Sequence, residues 1–410
     1  YKSSSAPKYD AIEVAIKRSY IENCKVVLGS ATPSIRTYYL ANKGYIKLLE
    51  IKNRVRKMPM PEIQVIDMRK ELALGNKSFL SRKLYDEIKD TLNRNEQVIL
   101  FLNRRGYSNF VLCKECGTVI KCSKCDISMT YHADKGLLRC HYCGKAQKMV
   151  STCTNCGSKI INQFGTGTQQ VELLIRRLFP QAKVNRMDFD SMTKKGSYEK
   201  IYNDFKHHKI DILIGTQMLA KGLDFPDVTT VGVISADTSL NLPFYNANEK
   251  TYQLITQVSG RAGRGSKKGR VFIQTYEPNN FTIEAIKTNA YKLFINEELR
   301  LRKEFAYPPF VDIINISTIS KYENILEKIS IKKYLEIKDI IKDLINERKV
   351  LLYKPIPHNI YKINNEYRMN LYIKSSIKST AQLKKAIRDV YMKEDIKDLK
   401  ISINYNNISV

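Results

Sequence analysis

The chain has 410 residues, 43% of them hydrophobic, which is enough for more than one hydrophobic core. The sequence shows neither a run of about 18 uncharged apolar residues nor a basic-then-apolar leader, so we expect a cytoplasmic protein without a membrane span. The formal net charge of +28 makes a polyanion such as nucleic acid the first partner to consider, although a lysine-rich coding bias would give the same charge.

The first segment, residues 1–70, has the pattern of the closing part of an α/β unit. Its periodicity predicts a helix over Asp10–Tyr20, a buried strand at Lys25–Gly29, a helix after Pro33 and a strand at Ile63–Asp67. The beginning of a sheet is missing from this stretch. We therefore expect a partial α/β lobe here.

A second α/β unit follows and is interrupted once. Residues 71–111 contain a predicted helix near Ser81–Asn93 and the apolar strand Gln97–Leu102. Over residues 112–163 the apolar periodicity gives way to cysteines, and the alternation of strands and helices resumes over residues 164–280. The cysteine-rich stretch is thus predicted to be an insertion within this lobe.

The last segment, residues 281–410, is predicted to be a small α+β domain. A helical pattern ends at Tyr307–Phe310, and strand, helix and strand patterns follow, with Pro355 and Pro357 marking a turn.

Eight of the nine cysteines form four C-x-x-C pairs. Each such turn aims two thiolates at one point, so four turns predict two closed, structural Cys₄ zinc sites. Disulfides and redox dithiols are the alternatives, but the first are disfavoured without a secretory signal and the second do not usually come in fours. Spacing leaves adjacent, interleaved and nested sharing of the metals open. The pairs are Cys113/Cys116, Cys122/Cys125, Cys140/Cys143 and Cys153/Cys156.

The remaining cysteine and the nearby histidines are given structural roles. We expect Cys24, isolated before the predicted strand, to be a small buried hydrophobe, and His132 and His141 to be solvated or packing residues. Three glycines that follow the second cysteine of a pair suit the tight turn of a metal knuckle: Gly117, Gly144 and Gly157.

Three segments outside the cysteine block resemble superfamily-two helicases, motors that bind ATP between two RecA-like lobes. The first is Gly29–Ser34, in which the resemblance assigns Thr32 to the nucleotide, although this pattern also serves as an ordinary helix N-cap. The second is Ile214–Asp224. The resemblance implies that this loop contacts the DNA backbone and, through Gly222 and Asp224, the nucleotide.

The third segment, Gln257–Arg264, is the most specific of the three. Arg261 and Arg264 lie one helical turn apart, so we expect both guanidinium groups to cross a cleft and stabilise charge on the γ-phosphoryl group. Gly260 and Gly263 would permit close approach. A basic helix on a solvated face would not require Gln257 and two glycines at these positions.

Four features together narrow the resemblance to the PriA family of replication-restart DNA helicases (primosomal protein N′). They are Phe101–Tyr107, the four C-x-x-C pairs, Gly165–Gln169 and Gly215–Gly222. The resemblance covers nearly the whole chain. It implies RecA-like helicase lobes, the first partial and the second complete, with an inserted two-zinc module and a small C-terminal α+β domain.

The same resemblance implies cofactors, partners and an activity. Two Zn²⁺ ions would be bound in nested fashion, one by Cys113, Cys116, Cys153 and Cys156 and the other by Cys122, Cys125, Cys140 and Cys143. It also implies an ATP- and Mg²⁺-dependent 3′-to-5′ helicase that acts on forked and single-stranded DNA. Its partners would be single-stranded-DNA-binding protein and the other primosome proteins.

The sequence departs from the family in its first lobe. Neither the Gly-x-x-x-x-Gly-Lys-Thr/Ser loop nor the Asp-Glu-x-His box occurs, so we expect a chain that begins in mid-lobe and does not hydrolyse ATP alone. Residues Pro7–Ala11 resemble the family's aromatic-rich loop, which suggests a coupling role for Tyr9.

Basic and aromatic residues mix in the C-terminal segment. This composition suits stacking on single-stranded DNA and tracking of phosphates, but a solvated lysine-rich surface would have it too. The residues concerned are Lys354, Tyr361, Lys362, Tyr367 and Arg368.

Two other functions compete with the DNA helicase. One is a zinc-ribbon adaptor that binds nucleic acid and uses an inactive helicase lobe as a scaffold. The other is a related helicase that works on RNA. A lysine loop encoded upstream would favour the motor over the adaptor, and a fork-unwinding assay against an RNA duplex would separate the two helicases.

Overall fold

A computed structural model of the chain describes residues 9–51, 60–103, 110–133, 136–164, 167–188, 196–219, 225–263, 267–391 and 398–406. The helices are α1 (Ala11–Glu22), α2 (Ile35–Asn42), α3 (Met68–Ala73), α4 (Arg82–Asn93), α5 (Thr168–Leu178), α6 (Ser197–Lys206), α7 (Asp237–Leu240), α8 (Ala247–Ser259), α9 (Phe281–Lys287), α10 (Tyr291–Glu304), α11 (Glu323–Ile340), α12 (Lys342–Asn346) and α13 (Thr380–Tyr391). The strands are β1 (Glu62–Asp67), β2 (Gln97–Phe101), β3 (Phe110–Cys113), β4 (Thr130–His132), β5 (Leu137–Arg139), β6 (Ala146–Lys148), β7 (Ile161–Phe164), β8 (Val184–Met187), β9 (Ile212–Gly215), β10 (Val228–Val233), β11 (Arg270–Thr275), β12 (Val311–Ser320), β13 (Val350–Leu352), β14 (Ile356–Ile363), β15 (Glu366–Ser376) and β16 (Leu399–Tyr405).

The chain folds into two compact units. The larger unit comprises Leu49–Cys140 and Ala146–Leu299, and the smaller unit comprises Tyr1–Leu48, His141–Lys145 and Arg300–Val410. The domain boundaries inferred from the sequence remain predictions.

A six-stranded parallel sheet forms the centre of the larger unit. Its strand order is β1-β11-β10-β2-β9-β8, and every neighbouring pair is parallel. The central strands β10, β2 and β9 are buried along their whole length, whereas the edge strands β1 and β8 are only partly buried. Continuous burial is expected for parallel strands that helices cover on both faces. The expectation of an α/β fold is confirmed.

Helix α4 shows how local sequence leads to packing against this sheet. The Ser81 hydroxyl caps the helix by accepting from the Leu84 amide, as the predicted helix start required. Leu84 and Ile88, four residues apart, are fully buried on one face of the helix. The Ser81 amide also donates to the side chain of buried Gln274 on β11, which fixes the helix start against the sheet.

The cysteine-rich stretch forms a separate antiparallel sheet between β2 and α5. Its order is β6-β5-β4-β3-β7, and its strands are only three or four residues long. The rings of Phe110 and Phe164 meet across β3 and β7 at 5.5 Å. Strands this short bury little surface, so the sheet needs another source of stability.

The smaller unit contains a five-stranded antiparallel sheet. Strands β13, β15, β12 and β16 are ordered along it, and β14 also pairs with β15. Helices α11 and α13 bury Ile337, Leu383 and Ile387 in the same core as residues of this sheet. In the same unit, Tyr39 of α2 meets Phe310 edge-on at 5.3 Å.

The structure corrects the prediction for the strand at Ile63–Asp67. The strand exists as β1, but it does not belong to the first α/β unit. It pairs in parallel with β11 and becomes an edge of the six-stranded sheet, from Glu62 opposite Arg270 to Asp67 opposite Thr275. An apolar pattern indicates that a strand forms, but it does not identify the partner strand.

Three other predictions about local structure were wrong. Lys25–Gly29 is not a strand, because no described strand pairs with its backbone, and Val27 is 87% exposed. Cys24, directly before this stretch, is exposed rather than buried, because the strand expected to follow it does not form. Pro357 lies within β14 instead of marking a turn, which is possible because β14 pairs with only one strand and a proline there costs no ladder hydrogen bond on the open side.

No helix in the described part of the chain is both long enough and apolar enough to cross a bilayer.

A buried carboxyl group joins the carboxyl ends of β10 and β11. Asp237, at the start of α7, accepts hydrogen bonds from the Thr275 hydroxyl and the Tyr276 amide, each at 2.9 Å. Burial raises the pKa of Asp237 to about 7, and the nearby carboxylate of Glu277 adds to this rise. The folded state therefore binds the Asp237 proton more tightly than the unfolded state does.

Asp237→Asn should remove a pH dependence of stability. Between pH 5 and 7 the unfolded state has already lost this proton while the folded state keeps it, so wild-type stability falls as the pH rises. Asparagine keeps the acceptor oxygen without the charge. Measured with urea, the free energy of unfolding of the variant minus that of the wild type should increase by roughly 1–3 kcal/mol from pH 5 to pH 8.

The exposed Asp90→Asn substitution on α4 is the control and should leave the pH profile unchanged. A difference between Asp237→Asn and wild type that does not vary with pH would contradict the assignment.

Candidate functional site

The first cysteine group forms where β3 ends. The Sγ atoms of Cys113 and Cys156 lie 3.7 Å apart, and those of Cys116 and Cys153 lie 3.6 Å apart. A tetrahedral zinc ion with Zn–S bonds of about 2.3 Å requires sulfur atoms about 3.8 Å apart. The spacing of these thiols therefore fits a zinc ion without rearrangement.

The second group contains Cys122, Cys125, Cys140 and Cys143, of which the first three are buried. In each group the four sulfur atoms lie within 4.8 Å of one another. The grouping is nested, as the family resemblance implied, and none of the nine cysteines, all of which are described, forms a disulfide. Four thiolates without carboxylate or histidine ligands are the donor set of a structural zinc site.

Three of the cysteine turns share one backbone pattern. The amides of Gly117, Asp126 and Gly157 donate to the carbonyls of Cys113, Cys122 and Cys153 at 2.8–2.9 Å. All three donor residues have positive φ, between 48° and 79°. Asp126 adopts this left-handed conformation where the other two turns have glycine, which is a tolerated exception for aspartate. These turns explain how each C-x-x-C pair directs two sulfur atoms to one point.

His141 is a packing residue, as the sequence suggested. Its side chain is buried, with Nδ1 3.3 Å from the Pro357 carbonyl in the smaller unit. Neither His132 nor His141 belongs to a metal-binding group among the described residues.

The arginine segment begins in α8 and ends in a turn. Gln257 is exposed in the last part of α8, Gly260 follows the helix as its C-cap, and the Arg261 side chain is 8% exposed. The helix ends at Ser259, so Arg261 lies in the turn that follows it, and the expected placement of Arg261 and Arg264 one helical turn apart stays a prediction because Arg264 lies outside the described residues. Gly260 is the C-cap of the helix, and the turn that contains Arg261 ends at Gly263, which is left-handed.

Position 263 requires glycine for a structural reason that differs from the predicted one. A Cβ atom at this position would lie 2.4 Å from the Gly269 amide nitrogen, so the turn can only approach the start of β11 as glycine. The Gly263 amide also donates to the Val228 carbonyl at the amino end of β10. By contrast, a Cβ atom on Gly260 would meet only ordinary contacts at 3.5 Å.

Charged and aromatic groups surround this turn. Burial raises the pKa of Tyr198, as does its neighbour Tyr202, while the positive charge of Arg261 works against the rise. Beyond the turn, Lys267 pairs with Glu96 at 3.3 Å. Burial raises the pKa of Glu96, but hydrogen bonds from Thr229 and Arg94 lower it overall. The arginine turn is thus fixed at the amino edge of the parallel sheet.

The structure describes only some of the other residues predicted to contact the nucleotide. Arg264, Gly222 and Asp224 lie outside the described residues. Thr32, in the smaller unit, is buried, and its amide donates to the Ser30 hydroxyl. Ser34 caps α2 by accepting from the Thr37 amide, so this motif does serve as a helix N-cap. Tyr9 is 52% exposed.

A set of polar side chains at the carboxyl edge of the sheet was missed by the sequence analysis. Gln217, after β9, donates to Asn103, after β2, at 3.3 Å. After the next strand, β8, buried Asp188 accepts from Thr168 at the start of α5 at 2.7 Å. Ligands of open parallel sheets bind outside the carboxyl ends of the strands. Asn103, Thr168 and Gln217 fall within the stretches quoted for the family resemblance, but only the fold shows that they line one edge.

In the smaller unit, the basic and aromatic residues of the C-terminal segment lie on the β14–β15 hairpin. Tyr361 meets Tyr367 edge-on at 5.5 Å, and the Lys362 ammonium lies 4.7 Å above the Tyr367 ring. Arg368 is on the same hairpin and its charge contributes, after burial, to lowering the pKa of His358. Lys354 is exposed just before β14.

Three family models match separate parts of the chain. The PriA DNA helicase Cys-rich region domain matches residues 122–148, the helicase conserved C-terminal domain matches residues 147–266, and the primosomal protein N C-terminal domain matches residues 303–406. The first lies within the cysteine-rich sheet, the second includes the arginine turn, and the third covers most of the antiparallel sheet of the smaller unit.

Two curated relatives are similar over almost the whole chain. Replication restart protein PriA of Bacillus subtilis (strain 168) is 44% identical over 99% of this chain and 50% of its own length. Its namesake from Synechocystis sp. (strain ATCC 27184 / PCC 6803 / Kazusa) is 38% identical over 96% of this chain and 49% of its own length. The chain spans about half the length of the curated relatives it matches.

Similarity to solved structures is weaker. RecG bound to a three-way DNA junction is 13% identical, with a TM-score of 0.36, over 66% of this chain and 26% of that one. The identification rests instead on the relatives and on the family-specific models, which match the cysteine-rich region and the C-terminal segment. By that evidence, the chain belongs to the PriA family of replication restart proteins.

Proposed function

We propose that this chain forms the second-lobe part of an ATP-dependent 3′-to-5′ DNA helicase that acts at stalled or collapsed replication forks and restarts replication. The observation that carries the proposal is the 44% identity, over 99% of the chain, to a replication restart protein. The buried arginine turn supports it, because a cation held in place by the fold is suited to a developing phosphoryl charge.

In this function Arg261 and Arg264 act on ATP bound with Mg²⁺ by another lobe. Their guanidinium groups stabilise the charge that spreads over the γ-phosphoryl oxygens, and Gln257 orients the nucleotide. Gly222, Asp224, Gly260 and Thr32 would complete the nucleotide contacts. The chain contains neither a Gly-x-x-x-x-Gly-Lys-Thr/Ser loop nor an Asp-Glu-x-His box, so we expect the isolated chain to lack ATPase activity.

Two Zn²⁺ ions fit the two cysteine groups. Each ion would fix four thiolates in a closed tetrahedron and leave no open position for chemistry. The short strands of the cysteine-rich sheet support this structural role, because they bury too little surface to stand alone.

DNA is the proposed substrate, in forked and single-stranded form. The polar side chains of Asn103, Thr168 and Gln217 would contact the DNA backbone, and the β14–β15 hairpin would add aromatic and basic contacts. The net charge of +28 supports a polyanionic partner. We further propose that single-stranded-DNA-binding protein and the other primosome proteins are the protein partners.

In a full-length protein as long as the relatives, Arg261→Ala and Arg264→Ala should each keep DNA binding and lose most ATPase activity. Removing such a guanidinium typically lowers turnover by on the order of 10³-fold. DNA-stimulated phosphate release gives the rate, and fluorescence anisotropy of a labelled fork gives the affinity. Lys268→Ala is the matched control, because Lys268 is a neighbouring exposed cation paired with Glu62. Undiminished turnover in both arginine variants would refute the motor role and favour the zinc-ribbon adaptor.

The zinc assignment predicts a stepwise loss of metal. Purified protein should contain two zinc ions per chain by atomic emission, and Cys125→Ser should retain one, because a buried ligand of one group only is removed. Cys24→Ser is the control and should retain two, since Cys24 lies outside both groups. A wild-type zinc content near zero in reduced protein would remove the assignment.

The hairpin assignment predicts a salt-dependent effect on single-stranded DNA. Removing two exposed cations with Lys354→Ala and Lys362→Ala should weaken binding several-fold and flatten the plot of log affinity against log salt by about one to two units. The control is the pair Lys328→Ala and Lys338→Ala on exposed positions of α11, with the same charge change. Equal losses in the two double variants would mean that charge acts without a specific surface.

A further inference from the structure

Arg69 lies between the parallel sheet and the first cysteine group. It is the second residue of α3, directly after β1. The guanidinium forms a two-pronged ion pair with Asp67, with Nε–Oδ1 at 2.8 Å and Nη2–Oδ2 at 2.7 Å. The same Asp67 caps α3 by accepting from the Arg69 amide. The plane of the guanidinium is thereby fixed on one side.

The remaining side of the guanidinium faces the cysteine turn. Nη1 donates to the Cys116 carbonyl at 3.3 Å. Cys116 belongs to the first cysteine group, so Arg69 touches the backbone of a proposed metal ligand. The side chain is 27% exposed and that of Asp67 is 15% exposed, so the contact is partly shielded from water.

The turn itself is pressed against the sheet beside this contact. Gly117 has φ of +79°, and a Cβ atom there would lie 2.1 Å from the Tyr276 carbonyl oxygen and 3.7 Å from Cδ of Arg69. Phe164, on β7, meets the Tyr276 ring edge-on at 5.4 Å. The turn therefore reaches its position only if residue 117 lacks a side chain, and the Arg69 side chain lies beside it.

The charge of a zinc-bound cysteine group favours the orientation in which the Arg69 guanidinium faces the turn. One Zn²⁺ ion with four thiolates carries a net charge of about −2, which a partly buried site holds better with a cation nearby. The Arg69–Asp67 pair presents its positive end to the turn, because Nη1 points to Cys116 while the carboxylate lies on the far side.

We propose that Arg69 is a positioning residue for the first metal centre, which holds the Cys116–Gly117 turn against the sheet and slows the loss of zinc. The proposal rests on the zinc assignment made above. Because the contact joins the turn to the end of β1, the bound metal in turn stabilises the attachment of that edge strand.

The test is the rate at which the full chain releases zinc to a coloured chelator. Wild-type protein should lose its two zinc ions in two phases, one for each cysteine group. Arg69→Ala should speed one phase by roughly 10-fold, the usual scale for losing a partner that orients a metal ligand, and leave the other unchanged. Gly117→Ala should speed the same phase, because its methyl group meets the Tyr276 carbonyl.

Two further variants sharpen the result. Arg69→Lys keeps the charge but cannot contact Asp67 and Cys116 with one rigid fork, so it should also speed that phase, by a smaller factor. Arg82→Ala is the control, since Arg82 forms an exposed ion pair with Glu71 in the same unit. If Arg69→Ala does not fold, the zinc-release rates of Arg69→Lys and Gly117→Ala test the proposal.

The outcomes separate this proposal from the zinc assignment. Near-zero zinc in wild-type protein would overturn both. Two bound zinc ions that leave the Arg69 and Gly117 variants at wild-type rates would overturn the role of Arg69 alone.

Discussion

The structure depends on the convergence of four sulfur atoms from distant parts of the chain. Cys113 ends β3 and Cys116 follows it, whereas Cys153 and Cys156 lie beyond all four cysteines of the second group along the chain. The strands that join them are only three or four residues long. Metal binding must therefore contribute much of the folding free energy of this region. The nested order places the second group inside the loop that the first group closes.

The first group also determines how the cysteine-rich sheet meets the parallel sheet within the larger unit. Its turn packs at the carboxyl ends of β1 and β11, against Tyr276 and Arg69. The polar side chains of Asn103 and Gln217 lie at the same edge, whereas the turn with Arg261 lies at the amino edge, beside Val228. Within this sheet the polar side chains proposed to contact DNA and Arg261, which is proposed to contact the nucleotide, therefore lie at opposite edges, and the first cysteine group lies at the edge of the polar side chains.

Local sequence patterns predicted the features that depend on neighbouring residues. They failed for features that are determined by residues far away in the sequence. The helix near Ser81–Asn93 was predicted from the sequence and is present as α4, because a helix makes its own hydrogen bonds. Strand β1 was recognised but given to the wrong sheet, since its partner Arg270 lies far along the chain. Spacing predicted the cysteine turns but left the sharing of metals open, and family resemblance supplied the nesting. Gly263 was expected to permit close approach across the nucleotide cleft, yet the structure requires glycine there because of the nearby backbone of Gly269, which no local pattern reveals.

Diffraction data collected on either side of the zinc absorption edge would test the central claim most directly. The account predicts two anomalous peaks, each about 2.3 Å from four sulfur atoms. One peak should be bound by Cys113, Cys116, Cys153 and Cys156, close to Arg69, and the other by Cys122, Cys125, Cys140 and Cys143. Peaks shared by adjacent or interleaved pairs, or a first peak remote from the Arg69 guanidinium, would contradict it.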